Sequence, residues 1–233
     1  MSQAATWRWC AAAGVAAFLC SVALGLIPDL IACGPTGGLG PILAFEFARS
    51  PADVAALFGG EPCRSTFVGA QKIGLLIDGL GFVPAYVAFL SCAGLALGSR
   101  ILPIVFVLAG LADEIEGGLL YAILSDLPGT QTTIDALWWA VHLKFALLAG
   151  GALGISVLLL ARWRWLPGVV SLIVGLGAMT AFAGLLDGPS PVMMIGFTIS
   201  WATILLAAFV GVARPSLFSA RAAPPQAPGS PSA

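Results

Sequence analysis

Charge is what this chain has least of. Of 233 residues only 9% are Asp, Glu, Lys or Arg, with one histidine and two tyrosines, while 59% are hydrophobic. A soluble domain carries about a quarter charged residues to cover its surface. A fold bathed in water on all sides is therefore excluded, and bilayer is the natural solvent. There is no basic stripe, which excludes nucleic acid as a partner. No Cys/His spacing resembles a metal site. There is no Gly-x-Ser-x-Gly and no nucleophile beside a base. The glycine-rich stretch from Cys33 to Gly38 is not followed by Gly-Lys-Ser/Thr, so it is no phosphate loop. Nothing in the sequence asks for a cofactor.

What the chain does have is long apolar runs. A spanning helix needs about 20 mostly apolar residues. Six runs meet that length, at about 10–31, 70–97, 101–124, 135–160, 166–186 and 191–212. Four of the five connections are short, which favours antiparallel neighbours. The 29 glycines suit close helix packing in lipid, and Gly150 with Gly154 forms one small-xxx-small pair. The expected fold is all-α, a six-helix transmembrane bundle forming a single domain over residues 1–212. Residues 213–233, rich in Pro, Ala and Ser, are expected to be a disordered tail.

The long connection, residues 32–69, is expected to hold one or two short interfacial helices. Ser50-Pro51-Ala52-Asp53 reads as a helix start, with Ser as the cap, Pro in the first turn and Asp against the dipole. Gly59-Gly60 reads as its end. Cys33 and Cys63 both fall in this loop, and in an oxidising space they would form a disulfide. The alternatives are two free thiols or a lipidated Cys33, since Leu30-Ile31-Ala32-Cys33 spells a lipoprotein cleavage box. Pro28-Asp29 interrupts the apolar run before it, which favours an uncleaved first span. Cys10, Cys20 and Cys92 lie in apolar runs and read as small core residues.

Orientation follows from Lys and Arg in the loops. With the N-terminus inside, Arg8, Arg100, Arg162, Arg164, Arg214 and Arg221 fall on the inner side. Arg49, Arg64 and Lys72, all in or next to the first loop, fall outside. Asp126, Asp135 and Asp187 fill the other outer connections. The bias gives N-in and C-in, with Trp7, Trp9, Trp163 and Trp165 as interface anchors.

Ionisable groups inside spans are costly and mark function by default. Asp78 lies in the second run, Asp113, Glu114 and Glu116 in the third, His142 and Lys144 in the fourth. Asp113 and Glu116 share a helix face and Glu114 turns away. Lys144 is the cation available to pair with Asp113, Glu116 or Asp78. Tyr86, two turns after Asp78, either lines the same cavity or packs in the core. Lone His142, beside Trp138 and Trp139, reads more readily as a packed residue than as a site member. Pro84 and Pro103 can open backbone carbonyls to a cavity. The last two runs read as scaffold.

Phe45-Glu46-Phe47-Ala48, the Ser-Pro-x-Asp start, Asp78 with Tyr86, Asp113-x-x-Glu116 and Lys144-Phe145 together resemble a group of uncharacterised bacterial multi-spanning membrane proteins. The resemblance covers about residues 40–150. In that group Asn often follows the glutamate, where this chain has Gly117. It implies an inner-membrane location and weight on the acidic positions, and no chemistry.

Three functions fit. One is binding or transport of a small solute, ion or proton at Asp78, Asp113, Glu116, Lys144 and Tyr86. Another is an intramembrane enzyme using a carboxyl acid or base on a lipid or quinone. The third is a structural or assembly partner in which the charges only lock helix register. Membrane lipids are the expected partners, with a homodimer possible. No inverted repeat relates the halves, because the acidic cluster has no counterpart in the last two runs.

Overall fold

Backbone groups have no water to bond inside a bilayer, so a chain this apolar must satisfy them within helices or a closed barrel. The computed structural model describes residues 2–162, 165–186 and 190–219, and its regular structure there is entirely helical. Trp163, Arg164, Asp187, Arg221 and the tail beyond residue 219 lie outside the described residues.

The long helices are α1 (Gln3–Gly25), α4 (Cys63–Ile77) running on through a π-helical turn (Asp78–Phe82) into α5 (Val83–Ala96), α6 (Leu102–Ser125), α7 (Gln131–Leu160), α8 (Trp165–Leu186) and α9 (Pro191–Ala213). Two short helices, α2 (Pro41–Glu46) and α3 (Pro51–Phe58), fill the long loop. Five of the long helices, with α4 to α5 counted as one, are long and apolar enough to cross a membrane. These mark a multi-pass membrane protein.

Local chemistry sets the ends. Ser2 and Thr130 cap α1 and α7, accepting from the amides of Ala5 and Thr133. Ser50 caps α3 in the same way, accepting from Asp53 N. Gly98, at φ 76°, closes α5: its amide reaches Leu95 O at 2.8 Å and that of Ser99 reaches Gly94 O at 2.9 Å. That is a Schellman ending, which needs a residue without a Cβ at this position. The first span is displaced from the expected 10–31. It starts seven residues earlier because Ser2 caps it, and stops at Gly25 because Pro28 follows and Asp29 takes a left-handed φ of 60°. The second begins at Cys63, earlier than the expected residue 70.

Each long helix packs on its neighbours in the chain, α1 on α5, α5 on α6, and so on to α8 on α9, and α9 returns to α1. The result is a closed ring. One end of it gathers the N-terminus of α1 and the C-terminal ends of α5, α7 and α9. There Gln3 Nε2 donates to Ala96 O (3.1 Å) and Phe218 O (3.3 Å), and Arg162 donates to Leu97 O and Leu158 O. Residues 214–219 belong to this packed end rather than to a disordered tail. Pro215–Phe218 forms a 3-10 turn, and the buried Phe218 ring lies 5.1 Å from Trp7. An apolar ring that can pack on an aromatic wall has reason to order.

Small residues set the closest approaches. A Cβ on Gly196 would lie 2.5 Å from Ala181 N and Gly177 O, and one on Gly184 would lie 2.9 Å from Met193 N. The α8–α9 seam is therefore backbone against backbone. On α7 the close contacts fall at Gly151, against Phe106, and Gly154, against Leu102, while Gly150 faces open space.

Candidate functional site

The centre of the site is Lys144 on α7, 5% exposed. A buried ammonium is tolerated only when it is paired and hydrogen-bonded. Lys144 Nζ lies 2.7 and 2.8 Å from the two Glu116 oxygens, 3.2 Å from Asp113 Oδ1 and 3.4 Å from Glu46 Oε2. Asp113 and Glu116 come from one face of α6, as their spacing implies. The other Asp113 oxygen accepts from the fully buried Tyr86 hydroxyl at 2.8 Å. Tyr86 thus fixes the orientation of the Asp113 carboxyl, leaving one oxygen for the lysine.

Glu46 was missed as a site residue. It belongs to α2 in the long loop, yet it is only 7% exposed and reaches Lys144 across ninety-eight positions of sequence. The available signal was a single acid within an otherwise apolar segment, Pro41 to Phe47. Gln71 of α4 helps to seat this segment by donating to Pro41 O at 3.2 Å, and Phe45 packs edge-on against Phe58 at 5.0 Å. The loop is also closed covalently, by a disulfide between Cys33 and Cys63.

Asp78 stands apart from the ion-pair cluster. It opens the π-helical turn and lines the same cavity without a hydrogen bond or ion pair to any described residue. The turn has a local cause. Pro84 lacks an amide and its ring crowds the carbonyl four residues back, so the helix cannot keep regular bonds just ahead of it. A wider turn relieves the conflict, and such turns tend to occur at functional positions. Pro103 has no comparable effect, because it sits in the first turn of α6.

Two other ionisable residues are elsewhere. Glu114 is exposed on the outer face of α6. His142 bonds the Trp138 carbonyl through Nδ1 at 2.7 Å and meets Phe47 edge-on at 5.6 Å. It is a packing residue between α7 and the loop. Among the described residues no group of His, Cys, Asp and Glu could hold a metal ion.

The cluster forms one end of a cavity of about 820 Å³. Glu46, Asp78, Asp113, Lys144 and Tyr86 supply the polar end, and the remaining wall is overwhelmingly apolar. α9 contributes Met194, Phe197, Trp201 and Leu205 to that wall, so the last span lines the cavity as well as packing on α8 and α1. No side chain of α8 reaches the cavity. Pro41, Ile42 and Leu43 of the loop form part of the lining. The volume is in the range of sites for small organic molecules, about 300–1,000 Å³. No protein-family model, curated protein or solved structure matches the chain.

Proposed function

We propose that the protein binds, and in the fuller form of the reading carries, a small molecule whose polar end meets the Glu46, Asp78, Asp113 and Lys144 cluster. The observation that carries this is the joining of a large cavity to a buried charged cluster. A network needed only to lock helix register would be packed over, since empty space beside it forfeits dispersion contacts. Here one carboxyl group, Asp78, is left without a partner on the cavity wall.

In this reading α6 is a sixth span. Its 24 residues are long enough to cross the hydrocarbon core at 1.5 Å per residue. It lies in the ring between α5 and α7. Two of its three acids are turned inward on Lys144 and Tyr86. Six crossings agree with the meeting of Gln3 and Phe218 at one end of the bundle. Arg8, Arg100, Arg162 and Arg214 flank the ends of α1, α5, α6, α7 and α9 that point that way. The basic bias supports N-in and C-in, in a bacterial inner membrane with the stapled loop outside. α3 then lies at the outer interface, and α2 folds back from it into the bundle.

The test is purification with native lipids and mass spectrometry of co-purifying small molecules, for wild type, Asp113→Asn and Lys144→Ala. A molecule present in wild type and lost from folded variants is the expected result. A wild type that carries none, with both variants unfolded, would assign the cluster to structure alone.

A further inference from the structure

The cavity lining constrains its ligand. Lys144 is already shared among Glu46, Asp113 and Glu116, and Asp78 adds a fourth carboxyl group to the same end. An anionic head such as phosphate or carboxylate would meet that excess unscreened, whereas a cation would relieve it. The wall beside Asp78 is aromatic. Phe82, Tyr86 and Trp201 lie with centroids 5.4 Å (Phe82–Tyr86), 5.4 Å (Tyr86–Trp201) and 6.1 Å (Phe82–Trp201) apart, and all three line the cavity. Aromatic faces attract ammonium groups, most strongly out of water. The Trp201 indole N–H is buried without a hydrogen-bond partner among the described residues, leaving one donor for an acceptor atom on the ligand.

The approach is lateral. α1 and α9 are in close contact where Gly211 meets Trp7 and where Gly14 meets Leu205. Farther along, Ser21 on one helix and Thr198 and Ala202 on the other line the cavity from either side. Phe18 also lines it and is 60% exposed, and Ser21, Thr198 and Ala202 are exposed as well, so the cavity reaches the outer face of the bundle between these two helices. That face is apolar apart from the Ser21 and Thr198 hydroxyls and would meet lipid.

We propose that the cavity takes a lipophilic cation, an organic amine or quaternary ammonium on an apolar body, admitted from the bilayer between α1 and α9. This rests on the binding reading above. The test uses the full chain in phosphatidylcholine nanodiscs with tetraphenylphosphonium and its anionic isostere tetraphenylborate, which match in size and differ in charge. Saturable binding of the phosphonium and none of the borate is expected. Asp78→Asn should weaken it about tenfold or more, and Ala202→Trp, which fills the cavity, should abolish it. Should Asp78→Asn melt early, Trp201→Leu serves instead, with a loss of roughly 3- to 30-fold. Equal binding of both probes, or folded Asp78→Asn with unchanged affinity, overturns the proposal. If the phosphonium does not bind while a native molecule co-purifies and is lost in Asp113→Asn, the cation assignment fails and the binding reading stands. If neither binds, both fail.

Discussion

Replacing Lys144 by methionine keeps most of the side-chain volume and removes the only cation in the cluster. Its ammonium lies 2.7, 3.2 and 3.4 Å from Glu116, Asp113 and Glu46. At an effective dielectric near 20, each such pair attracts by about 5–6 kcal/mol. Desolvation of the four groups and repulsion among the carboxylates offset much of that sum. The relevant quantity is what remains when one partner is removed, and for buried pairs that is about 3–5 kcal/mol. Lys144→Met should therefore lose about 3–5 kcal/mol in unfolding by a denaturing detergent in mixed micelles, followed by tryptophan fluorescence. The loss has a signature that cavity formation lacks. Adding Asp113→Asn and Glu116→Gln to Lys144→Met removes two of the three stranded carboxylates, leaving Glu46, and should recover at least half of the stability. A single variant within about 1 kcal/mol of wild type would refute the reasoning, as would a triple variant less stable than the single one.

The remaining predictions test separate parts of the molecule. Tyr86→Phe deletes the donor to Asp113 and should cost about 1–3 kcal/mol in the same assay. Replacing Cys33 and Cys63 by serine opens a link between residues 30 apart and should cost up to about 3–4 kcal/mol, with loss of the reduction-dependent gel shift. Gly196→Leu should push α8 and α9 apart and lower the melting temperature, whereas Gly117→Ala, which meets nothing within 4 Å, should not. With Cys10, Cys20 and Cys92 replaced, a cysteine at Gly38 should react with an impermeant maleimide from outside and one at Ser99 from inside. The reverse pattern would overturn the orientation.

The helical class was legible because it follows from composition. A chain with so little charge has few ways to satisfy its backbone in lipid. The meeting of Asp113, Glu116 and Lys144 was legible for a related reason: a lone buried ammonium needs carboxylates at its own depth, and helix rise fixes depth. The Cys33–Cys63 disulfide was one of several open readings of two cysteines in one loop. Glu46 was not legible as a site residue, because depth arguments apply to spans and it stands on a loop helix that folds back into the bundle. The end of α1 was misplaced since hydropathy continues to Ile31 while the backbone turns at Pro28 and Asp29. The role of α9 was hidden for the opposite reason. Phe197 and Trp201 carry no charge, and an aromatic residue facing a cavity looks the same in sequence as one facing a helix.

The long loop then connects features that seem separate along the chain. Cys33 and Cys63 fix its two ends, Gln71 holds the start of α2, and α2 delivers Glu46 to Lys144. The same segment supplies Pro41, Ile42 and Leu43 to the cavity wall, so it covers the polar end as well as charging it. Opening that cover would strand Lys144 with fewer partners and expose apolar residues of α2, both of which oppose it. The side between α1 and α9 carries no comparable restraint: its residues are apolar apart from the Ser21 and Thr198 hydroxyls, and parting them toward lipid strands no charge. On the binding reading proposed above, a ligand that arrives through the bilayer meets the lower barrier. This is why the covered end and the lateral gap favour the same kind of molecule, one soluble in lipid with a head that prefers carboxylates and aromatic faces.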